Sequence, residues 1–254
     1  MMNPVLSVAN ITKTFQDGEG ACRTLDGISF AIAPQEIVCI MGPSGCGKST
    51  LLRIIGGLDH ADTGAIRAAP GSDGSAIGAA MVFQDPALFP WLIVYENIVY
   101  GLRLAAQRVP ESEIRSRAEA LLALTHLGTF AHSYPHQLSG GMRQRVAVAR
   151  ALAVKPPVLL MDEPFSALDP FTRRELEDEV LRIRQELKTT ILVVSHNPEE
   201  AVYLADRIIV LSARPATVAA TIAVDLPYPR DPADPAFLRI REQVTRAVLG
   251  RPAR

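Results

Sequence analysis

The chain has 254 residues, of which 48% are apolar and 21% charged, so it is long enough to bury a sizeable core in one large domain or two small ones. Its net charge of −1 gives no global electrostatic reason to bind nucleic acid or an anionic membrane. The three cysteines (Cys22, Cys39 and Cys46) lack metal-ligand spacing and suit a reducing compartment. We expect no signal peptide, and the apolar runs are too short for a membrane helix of ~20 residues. A cytoplasmic chain is therefore expected.

Short apolar runs alternate with longer helical patterns, which predicts an α/β domain around a mainly parallel sheet. "VLSVANITKTF" and "ISFAIAP" predict strands of an antiparallel N-terminal layer. "EIVCIM" (36–41) predicts a buried strand that leads directly into a glycine-rich loop, and "STLLRIIGGL" predicts the helix after that loop. A strand, a Gly/Ser-rich turn and another strand ending at Gln84 are expected next.

The pattern between about Asp85 and Pro135 is helical, with little strand signal. We interpret it as a helical subdomain, about residues 85–152, inserted in the α/β core. Strands are then predicted in "VLLMDEP", "TTILVVSH" and "RIIVLSA", separated by helices. Four prolines in 226–235 predict a stiff linker before a last amphipathic helix. The predicted domain boundaries are therefore a main domain over 1–225 and a proline-rich linker with a C-terminal helix over 226–254.

The glycine-rich stretch "GPSGCGKST" (42–50) matches the phosphate-loop pattern G-x-x-x-x-G-K-[ST] and lies between a predicted strand and a predicted helix. Its glycines allow backbone N–H groups to turn toward phosphates, and the helix dipole favours an anion there. Lys48 is expected to reach the β- and γ-phosphates, and the Ser49 hydroxyl can ligate Mg²⁺. The residues predicted to bind the phosphates are Gly42, Pro43, Ser44, Gly45, Cys46, Gly47, Lys48, Ser49 and Thr50. The pattern indicates nucleotide binding without specifying the reaction.

Two neighbouring carboxylates, Asp162 and Glu163, follow the apolar run of "VLLMDEP", at the strand end where ligands of open α/β sheets lie. Neighbouring strand residues point to opposite sides, so the two can take different tasks. Asp162 suits the coordination shell of Mg²⁺, and Glu163 is a candidate to orient and deprotonate a water. The alternative is that both acids only cap or turn the chain. A guanine-reading N/T-K-x-D motif is not found.

A second helix start with the chemistry of an anion site lies in "QLSGGMRQRVAVARAL" (137–152). Ser139 can cap the helix, and Gly140 and Gly141 expose backbone N–H groups without side-chain obstruction. This element has no lysine of its own. Three arginines along the same helix are interpreted as a solvated face rather than a nucleic-acid stripe: Arg143, Arg145 and Arg150.

Taken together, these motifs resemble the ATP-binding subunits of ABC transporters over nearly the whole chain. Besides the phosphate loop and "VLLMDE" (158–163), four further motifs occur in the family's order. They are Gln84 in "MVFQDPALFPWL", "LSGGMRQR" (138–145), "SALD" (166–169) and His196 in "VVSHNPEEA". "FQDPALFPWL" and "ADRIIVLSARPATV" look most like importers of nitrate, alkanesulfonates, taurine and related anions. Two residues depart from the usual pattern, Ser195 and Asn197, and neither removes the imidazole.

The resemblance implies roles for individual residues. Glu163, His196 and Gln84 would be catalytic, and Ser49, Gln84 and Asp162 would contact Mg²⁺. Phe15 falls where the family places an aromatic ring that stacks on adenine, although a core position is the alternative. A second copy of the chain would supply Leu138, Ser139, Gly140, Gly141 and Asp169 to the same ATP. Gln84 could alternatively be an ordinary surface amide.

The resemblance also implies partners. Two copies would pack head to tail, each closing its "LSGGM" segment over the ATP of the other, and integral membrane permeases would receive the motion. A solute-binding protein would act indirectly, and the chain would lie peripherally on the cytoplasmic face of the inner membrane. Leu88, Phe89 and Trp91 are candidate anchors for the permease, unless they pack inside the helical block.

Two other functional classes compete with this reading. A soluble ABC-type ATPase of DNA repair or translation would need a long coiled-coil insertion or two nucleotide cassettes, and neither is found. A regulatory ATP-binding module without turnover would be expected to lack Glu163 or His196, and both are present. The sequence therefore predicts an ATP-hydrolysing transport subunit that uses ATP and Mg²⁺ and does not bind nucleic acid.

Overall fold

The computed structural model of the chain describes four ranges of residues: 3–17, 20–68, 79–104 and 109–250. In chain order the elements are β1 (Leu6–Asp17), β2 (Gly20–Ile32), β3 (Ile37–Met41), α1 (Lys48–Ile55), β4 (Thr63–Ala68), β5 (Ala79–Val82), α2 (Val94–Leu104), α3 (Glu111–Leu124), α4 (Gly140–Ala153), β6 (Val158–Asp162), α5 (Pro170–Leu187), β7 (Thr190–Val194), α6 (Pro198–Leu204), β8 (Arg207–Leu211), β9 (Val218–Ala223) and α7 (Pro235–Val248). Short 3-10 helices cover Gly128–Phe130 and Pro135–Gln137.

The chain divides into two units, which are described separately. The phosphate-loop unit comprises Met1–Ala69 and Thr190–Arg254 and contains the stretch 42–50. The helical unit comprises Pro70–Thr189 and contains the predicted helical insertion.

The phosphate-loop unit contains a parallel arrangement of three buried strands. β3 pairs in parallel with β7 on one side and β8 on the other, and β9 pairs antiparallel with β8. Every residue of β3 and β7 is buried, which is why "IVCIM" and "TILVV" are continuous apolar runs rather than alternating ones. Because the register places Ile40 opposite Val194, the chain leaves both strands at the same edge of the sheet.

A second sheet in the same unit is antiparallel, with strand order β2-β1-β4. β1 pairs with β2 from Leu6 opposite Ile32 to Asp17 opposite Gly20. Buried and exposed residues alternate along only part of β2. The reason is that register shifts interrupt the pairing of β1 with β2. This is the predicted N-terminal antiparallel layer.

The proline-rich segment 226–235 is held to the phosphate-loop unit by Arg230, a buried arginine. Its guanidinium donates hydrogen bonds to five backbone carbonyls, those of Val202, Tyr203, Ala205, Val224 and Leu226. The Tyr228 hydroxyl donates to Leu204 O at 2.6 Å, and its ring lies 4.1 Å from the Arg230 guanidinium carbon. A buried cation is tolerated because carbonyl oxygens replace its water. The domain boundary at residue 226 stays a prediction.

Within its described residues, the helical unit combines two parallel strands with four longer helices. β5 pairs with β6 in parallel, with Val82 opposite Met161. α2 packs closely on the end of α4, since a Cβ built at Gly101 would lie 3.1 Å from Val154 Cγ1. The start of α5 touches the start of α4, as described below.

The predicted fold class is confirmed: a mainly parallel sheet, an antiparallel N-terminal layer and a helical region between β5 and β6. Two details differ. The strand β9 was not predicted, and five predicted strands end two residues earlier than expected, at Ile32, Val82, Asp162, Val194 and Leu211. The predicted Gly/Ser-rich turn lies outside the described residues, apart from its flanks. Among the described helices, none has the length and apolar content to cross a membrane.

Candidate nucleotide-binding site

The phosphate loop joins β3 to α1 in the phosphate-loop unit, and two of its glycines cannot carry a side chain. Gly42 has a φ of 155° and a Cβ there would lie 2.9 Å from Leu211 O. Gly47 has a φ of 112° and a Cβ there would lie 2.8 Å from Thr24 Cγ2. The loop is therefore enclosed between β2 on one side and the end of β8 on the other, in a conformation that requires glycine.

Lys48 is the first residue of α1 and is buried, with 7% of its surface exposed. Its ammonium group donates to Gly42 O and Pro43 O, both at 3.0 Å, so it lies within the curve of the loop. Gly47 is the N-cap of α1 and provides no side-chain cap. The N–H groups of a first helical turn lack intrahelical partners, and together with the lysine they form a positively polarised site for phosphate.

The other loop residues occupy distinct places around this centre. Ser44 and Gly45 are exposed at the crest, and Ser49 and Thr50 are half-buried in the first turn of α1. Cys46 is buried, with its Sγ 3.0 Å from the Cβ position at Gly42. This thiol fills the base of the loop, and buried apolar thiols react slowly with oxidants.

Phe15 lies on β1, where it pairs with Cys22 of β2. Its side chain is 41% exposed, so the alternative of a core position is wrong. The Lys13 ammonium group lies 5.2 Å from the centre of the ring. An exposed ring on the phosphate-loop unit has the chemistry to stack on a base, and its role as an adenine platform stays a prediction.

His196 is exposed and lies two residues beyond the end of β7. The two departures from the family pattern flank it and form hydrogen bonds. Asn197 is the N-cap of α6 and accepts from Glu199 N at 3.0 Å, while Ser195 Oγ accepts from Asn197 N at 3.0 Å. Since Ser195 N donates to Ile40 O, the turn that carries His196 is fastened to β3, the strand that leads into the phosphate loop. The imidazole and the loop therefore emerge at the same sheet edge.

The two carboxylates lie in the helical unit, at the end of β6. Asp162 is the last residue of the strand and is 8% exposed, and Glu163 is half-buried. Glu163 has a φ of 46°, in the left-handed region that a non-glycine residue seldom adopts. Its carbonyl accepts from Ser166 Oγ at 2.9 Å and from Ser166 N at 3.3 Å, which holds this turn. Strand alternation thus stops at Asp162, and a strained turn sets the position of Glu163.

Gln84 lies in the same unit, exposed and two residues beyond the end of β5. β5 and β6 are parallel neighbours, so Gln84 and the Asp162–Glu163 pair leave the sheet at one edge. Gln144 of α4 is buried and donates to Phe83 O at 3.3 Å, which attaches α4 to this segment.

Ser139 is the N-cap of α4, and its hydroxyl accepts from Met142 N at 3.2 Å. Ser139 and Gly140 are exposed, whereas Leu138 and Gly141 are buried. A Cβ at Gly141 would lie only 2.4 Å from Thr172 Cγ2, so glycine allows α4 to start against α5. The 14-residue helix therefore presents an exposed N-terminus, whose position is set by close packing one residue further on.

Asp169 is the N-cap of α5, and its Oδ1 accepts from Phe171 N and Thr172 N, both at 3.1 Å. A hydrogen bond from the Thr172 side chain is the largest cause that lowers the pKa of the exposed Asp169 carboxyl, and the two backbone hydrogen bonds lower it further. The "SALD" segment therefore belongs structurally to the start of α5, beside the start of α4.

The segment before α2 is held by two side chains of the helices, and the sequence did not predict their contacts with it. Asn97 is fully buried in α2; its Oδ1 accepts from Phe89 N at 2.9 Å, and its amide donates to Phe89 O, Leu92 O and Ile93 O. Arg150 donates to Pro86 O and Ala87 O and lies over the Phe89 ring. No sequence signal marks either side chain, because α2 also contains Glu96 and Arg103 and a carbonyl acceptor is present at every residue.

These contacts separate the three candidate anchors. Phe89 packs inside the helical unit, 4.4 Å from the Tyr100 ring, Leu88 is half-buried, and Trp91 is 69% exposed. The prediction that the three arginines of α4 form a solvated face is wrong. Each has a protein partner: Arg143 donates to Leu138 O, Arg145 pairs with Glu175 and Glu179, and Arg150 binds the carbonyls given above.

A strand, a glycine loop with an inward lysine and a helix N-terminus, attached to a parallel sheet, define a P-loop nucleotide-binding protein. Residues 25–166 match the family described as ABC transporter. An uncharacterized ABC transporter ATP-binding protein of Methanocaldococcus jannaschii is 43% identical over 245 residues, which are 96% of this chain and 91% of the relative. An aliphatic sulfonates import ATP-binding protein of Bacillus cereus is 41% identical, covering 94% of each chain.

A solved structure shows the same fold: an ATP-binding cassette in a dimeric post-hydrolysis state bound to ADP and Pi. It is 33% identical with a TM-score of 0.73, over 87% of this chain and 99% of that one. The chain therefore belongs to the ABC transporter family, as an ATP-binding subunit with the enzymatic class of a transport ATPase.

Proposed function

We propose that the chain hydrolyses ATP to power import of a small organic anion of the sulfonate class through partner permeases. The observation that carries the proposal is the pair of helix N-termini: α1 with Lys48 inside its loop, and α4 with an exposed serine and glycine but no lysine. A complete phosphate site and a half site in one chain suit an ATPase that works as a pair of copies.

Within one copy, the phosphate loop would hold the β- and γ-phosphates, and Phe15 would stack on the adenine. Glu163 would accept a proton from a water that attacks the γ-phosphorus, while the bond to the β-phosphate oxygen breaks and ADP leaves. A positioned general base typically contributes about 10²–10⁴-fold to a rate. His196 would donate to the γ-phosphate, and Gln84 would hold the water.

The residues fit a magnesium ion as well. Mg²⁺ is usually held by one or two carboxylates together with substrate phosphates and water, and it neutralises phosphate charge when bound. Among the described residues, no three His, Cys, Asp or Glu side chains lie close enough together to hold a metal ion by themselves, and such a group is not needed for an ion held in this way. Ser49, Asp162 and Gln84 would hold it.

A second copy would complete the site. Its Leu138, Ser139, Gly140, Gly141 and Asp169 would close over the γ-phosphate bound by the first copy. The support is the exposure of Ser139 and Gly140 and the dimer described for the related cassette with ADP and Pi. Head-to-tail packing makes two equal composite sites, so ATP closes the pair and hydrolysis opens it.

The trans arrangement is tested by mixing two inactive variants. Ser139→Arg keeps its phosphate loop but blocks its α4 N-terminus, and Lys48→Ala has the opposite defect. A mixed dimer contains one intact composite site, so ATPase activity should return on mixing, in proportion to the mixed species. Failure of any mixture to exceed the two separate variants would contradict the trans site without affecting the cis residues.

The import role would place the chain peripherally on the cytoplasmic face of the inner membrane, against permeases that receive its motion. Trp91 is the exposed anchor candidate for them. A solute-binding protein would deliver the anion. The relative named for aliphatic sulfonates import supports the substrate class, and nitrate and taurine are the other anions of the predicted group.

The substrate class is tested by reconstituting the chain with its genomically neighbouring permease and binding protein in liposomes. ATP-dependent uptake of an alkanesulfonate, with little uptake of nitrate, is the expected result. Glu163→Gln is the matched control, because it should bind ATP and permease but not turn over. Uptake that is equal for both anions, or that persists in Glu163→Gln, would count against the proposal.

A further inference from the structure

The turn between β8 and β9, residues 212–217, lies against the phosphate loop. Ser212 N donates to Thr217 O at 3.0 Å, and Thr217 N donates to Ser212 Oγ at 2.9 Å, so the turn is closed by its own hydrogen bonds. Leu211, directly before it, has its carbonyl oxygen 2.9 Å from the Cβ position at Gly42. The first residue of the phosphate loop therefore lies in contact with the residue that leads into this turn.

The same turn is fastened to β2. Ala216 N donates to Thr24 O at 2.9 Å, and Asp26 N donates to Ala216 O at 2.8 Å. Thr24 and Leu25 of β2 are also the residues that leave no room for a side chain at Gly47. One rigid support thus contacts the loop at both of its ends.

Arg214 extends from this turn to the crest of the loop. Its guanidinium donates to Gly45 O, and its other nitrogen lies 3.5 Å from Cys22 Sγ. Cys22 is the strand partner of Phe15. The arginine therefore connects the phosphate loop with the strand pair that carries the exposed aromatic ring.

The peptide between Gly45 and Cys46 is held at both of its polar ends. Its carbonyl accepts from Arg214, and its N–H donates to Pro43 O at 3.3 Å. Gly45 is exposed and has a φ of 73°, so these contacts hold a glycine whose backbone could otherwise adopt several conformations. A loop that turns N–H groups toward an anion turns carbonyls outward, and an outward carbonyl needs a donor.

We propose that Arg214 is a positioning residue for ATP: it fixes the Gly45–Cys46 peptide and so preorganises the phosphate loop. The role is in binding rather than in the chemical step, because the guanidinium acts through a backbone carbonyl. Loss of this ordering must be compensated by the nucleotide when it binds, which weakens its affinity. The inference concerns ATP binding alone and does not depend on the dimer or the transported anion.

The test compares ATP affinity and turnover in Arg214→Ala, Arg214→Lys and Arg214→Gln. Loss of a hydrogen bond from a charged donor predicts about a tenfold rise in the Kd and KM for ATP in Arg214→Ala. The kcat at saturating ATP should change less than about twofold. Arg214→Lys keeps one charged donor and should recover part of the affinity, and Arg214→Gln should recover less. Arg239→Ala, which removes an exposed arginine of α7 in the same unit, is the control.

An unchanged Kd in Arg214→Ala would overturn the proposal. A lower Tm without nucleotide, combined with an unchanged Kd, would also overturn it, because Arg214 would then only support the fold. If Arg214→Ala does not fold, Arg214→Lys decides, since a charge without the fork geometry should still weaken binding measurably. Absence of ATP binding by the unmodified chain would instead contradict the ATP-binding role itself.

Discussion

The two helix N-termini of this chain differ in how they are built, although both carry the chemistry of an anion site. At α1 the glycines have left-handed φ values, the N-cap has no side-chain hydrogen bond, and a buried lysine lies within the loop. At α4 a serine already caps the helix, and the exposed residues are Ser139 and Gly140. The comparison teaches that the first N-terminus combines backbone N–H groups with a lysine, while the second offers backbone N–H groups without one.

The largest expected effect comes from removing Lys48, the lysine that the α1 N-terminus has and the α4 N-terminus lacks. Lys48→Ala should weaken ATP binding about 10- to 150-fold, because charged hydrogen bonds of about 1.5–3 kcal/mol are lost. Titration calorimetry with ATP measures this. Arg53→Ala, which removes an exposed cation from the other end of α1, should change the Kd less than about twofold. Equal losses in the two variants would mean that long-range charge, not the loop geometry, binds the phosphates.

A second prediction concerns the charge buried behind α4. Glu179 of α5 is buried, with its carboxylate 3.2 Å from Arg145 Nε. Burial raises the pKa of Glu179 from 4.5 to about 7, against the opposing effects of Arg145 and Arg182, and Glu175 adds to the rise.

Proton linkage gives the direction in which the free energy of unfolding changes with pH. Between pH 4.5 and about 7 the folded state binds more protons than the unfolded state, so stability is full below 4.5 and falls as the pH rises through 7. Glu179→Gln should remove this fall, about 3 kcal/mol, in urea denaturation at several pH values. The exposed Glu175→Gln should retain it, and an unchanged slope in Glu179→Gln would refute the assignment.

Steric closeness at α4 gives the third prediction. Gly141→Ala should lower the free energy of unfolding by about 1–2 kcal/mol, because its Cβ would meet Thr172 Cγ2 at 2.4 Å. Adding Thr172→Ser removes that methyl group and should restore stability. Gly140→Ala, with its nearest side-chain atom at 3.7 Å, should be neutral. If Gly140→Ala and Gly141→Ala proved equally costly in urea denaturation, the packing explanation would not hold.

The smallest expected effect is at Ser139, where two substitutions distinguish helix capping from anion binding. Ser139→Ala should lower stability by about 1 kcal/mol, since the bond to Met142 N is lost. Ser139→Asp keeps a capping oxygen and should keep stability, but its negative charge should reduce ATPase activity if α4 meets a phosphate. Thermal denaturation and phosphate release measure the two properties. Normal ATPase in Ser139→Asp would indicate that no anion approaches this N-terminus.

The elements that were predicted correctly are those with a short, local sequence pattern. "EIVCIM" and the glycine loop predicted β3, the loop and α1, because a buried parallel strand and a phosphate loop each have a local signature. β9 was missed because "VAATIA" is half alanine and only its Ile222 is well buried. The position of Glu163 in a left-handed turn could not be predicted from neighbouring residues alone.

Residues that act through backbone carbonyls could not be found from the sequence. Asn97, Arg150, Arg214 and Arg230 each donate to carbonyls of another segment, between 4 and 169 positions away in the chain. A carbonyl is present at every residue, so it leaves no pattern in the letters. The catalytic roles of Glu163, His196 and Gln84 likewise stay predictions, supported by the sheet edges at which they lie.

The single amide of Asn97 has a mechanical consequence. Because it binds both polar groups of Phe89 and the carbonyls of Leu92 and Ile93, the turn around Trp91 is coupled to α2 at several points. A force applied to the Trp91 ring would displace the turn and the helix together rather than bend the turn. The four hydrogen bonds of this one amide therefore attach the turn that carries Trp91 to α2.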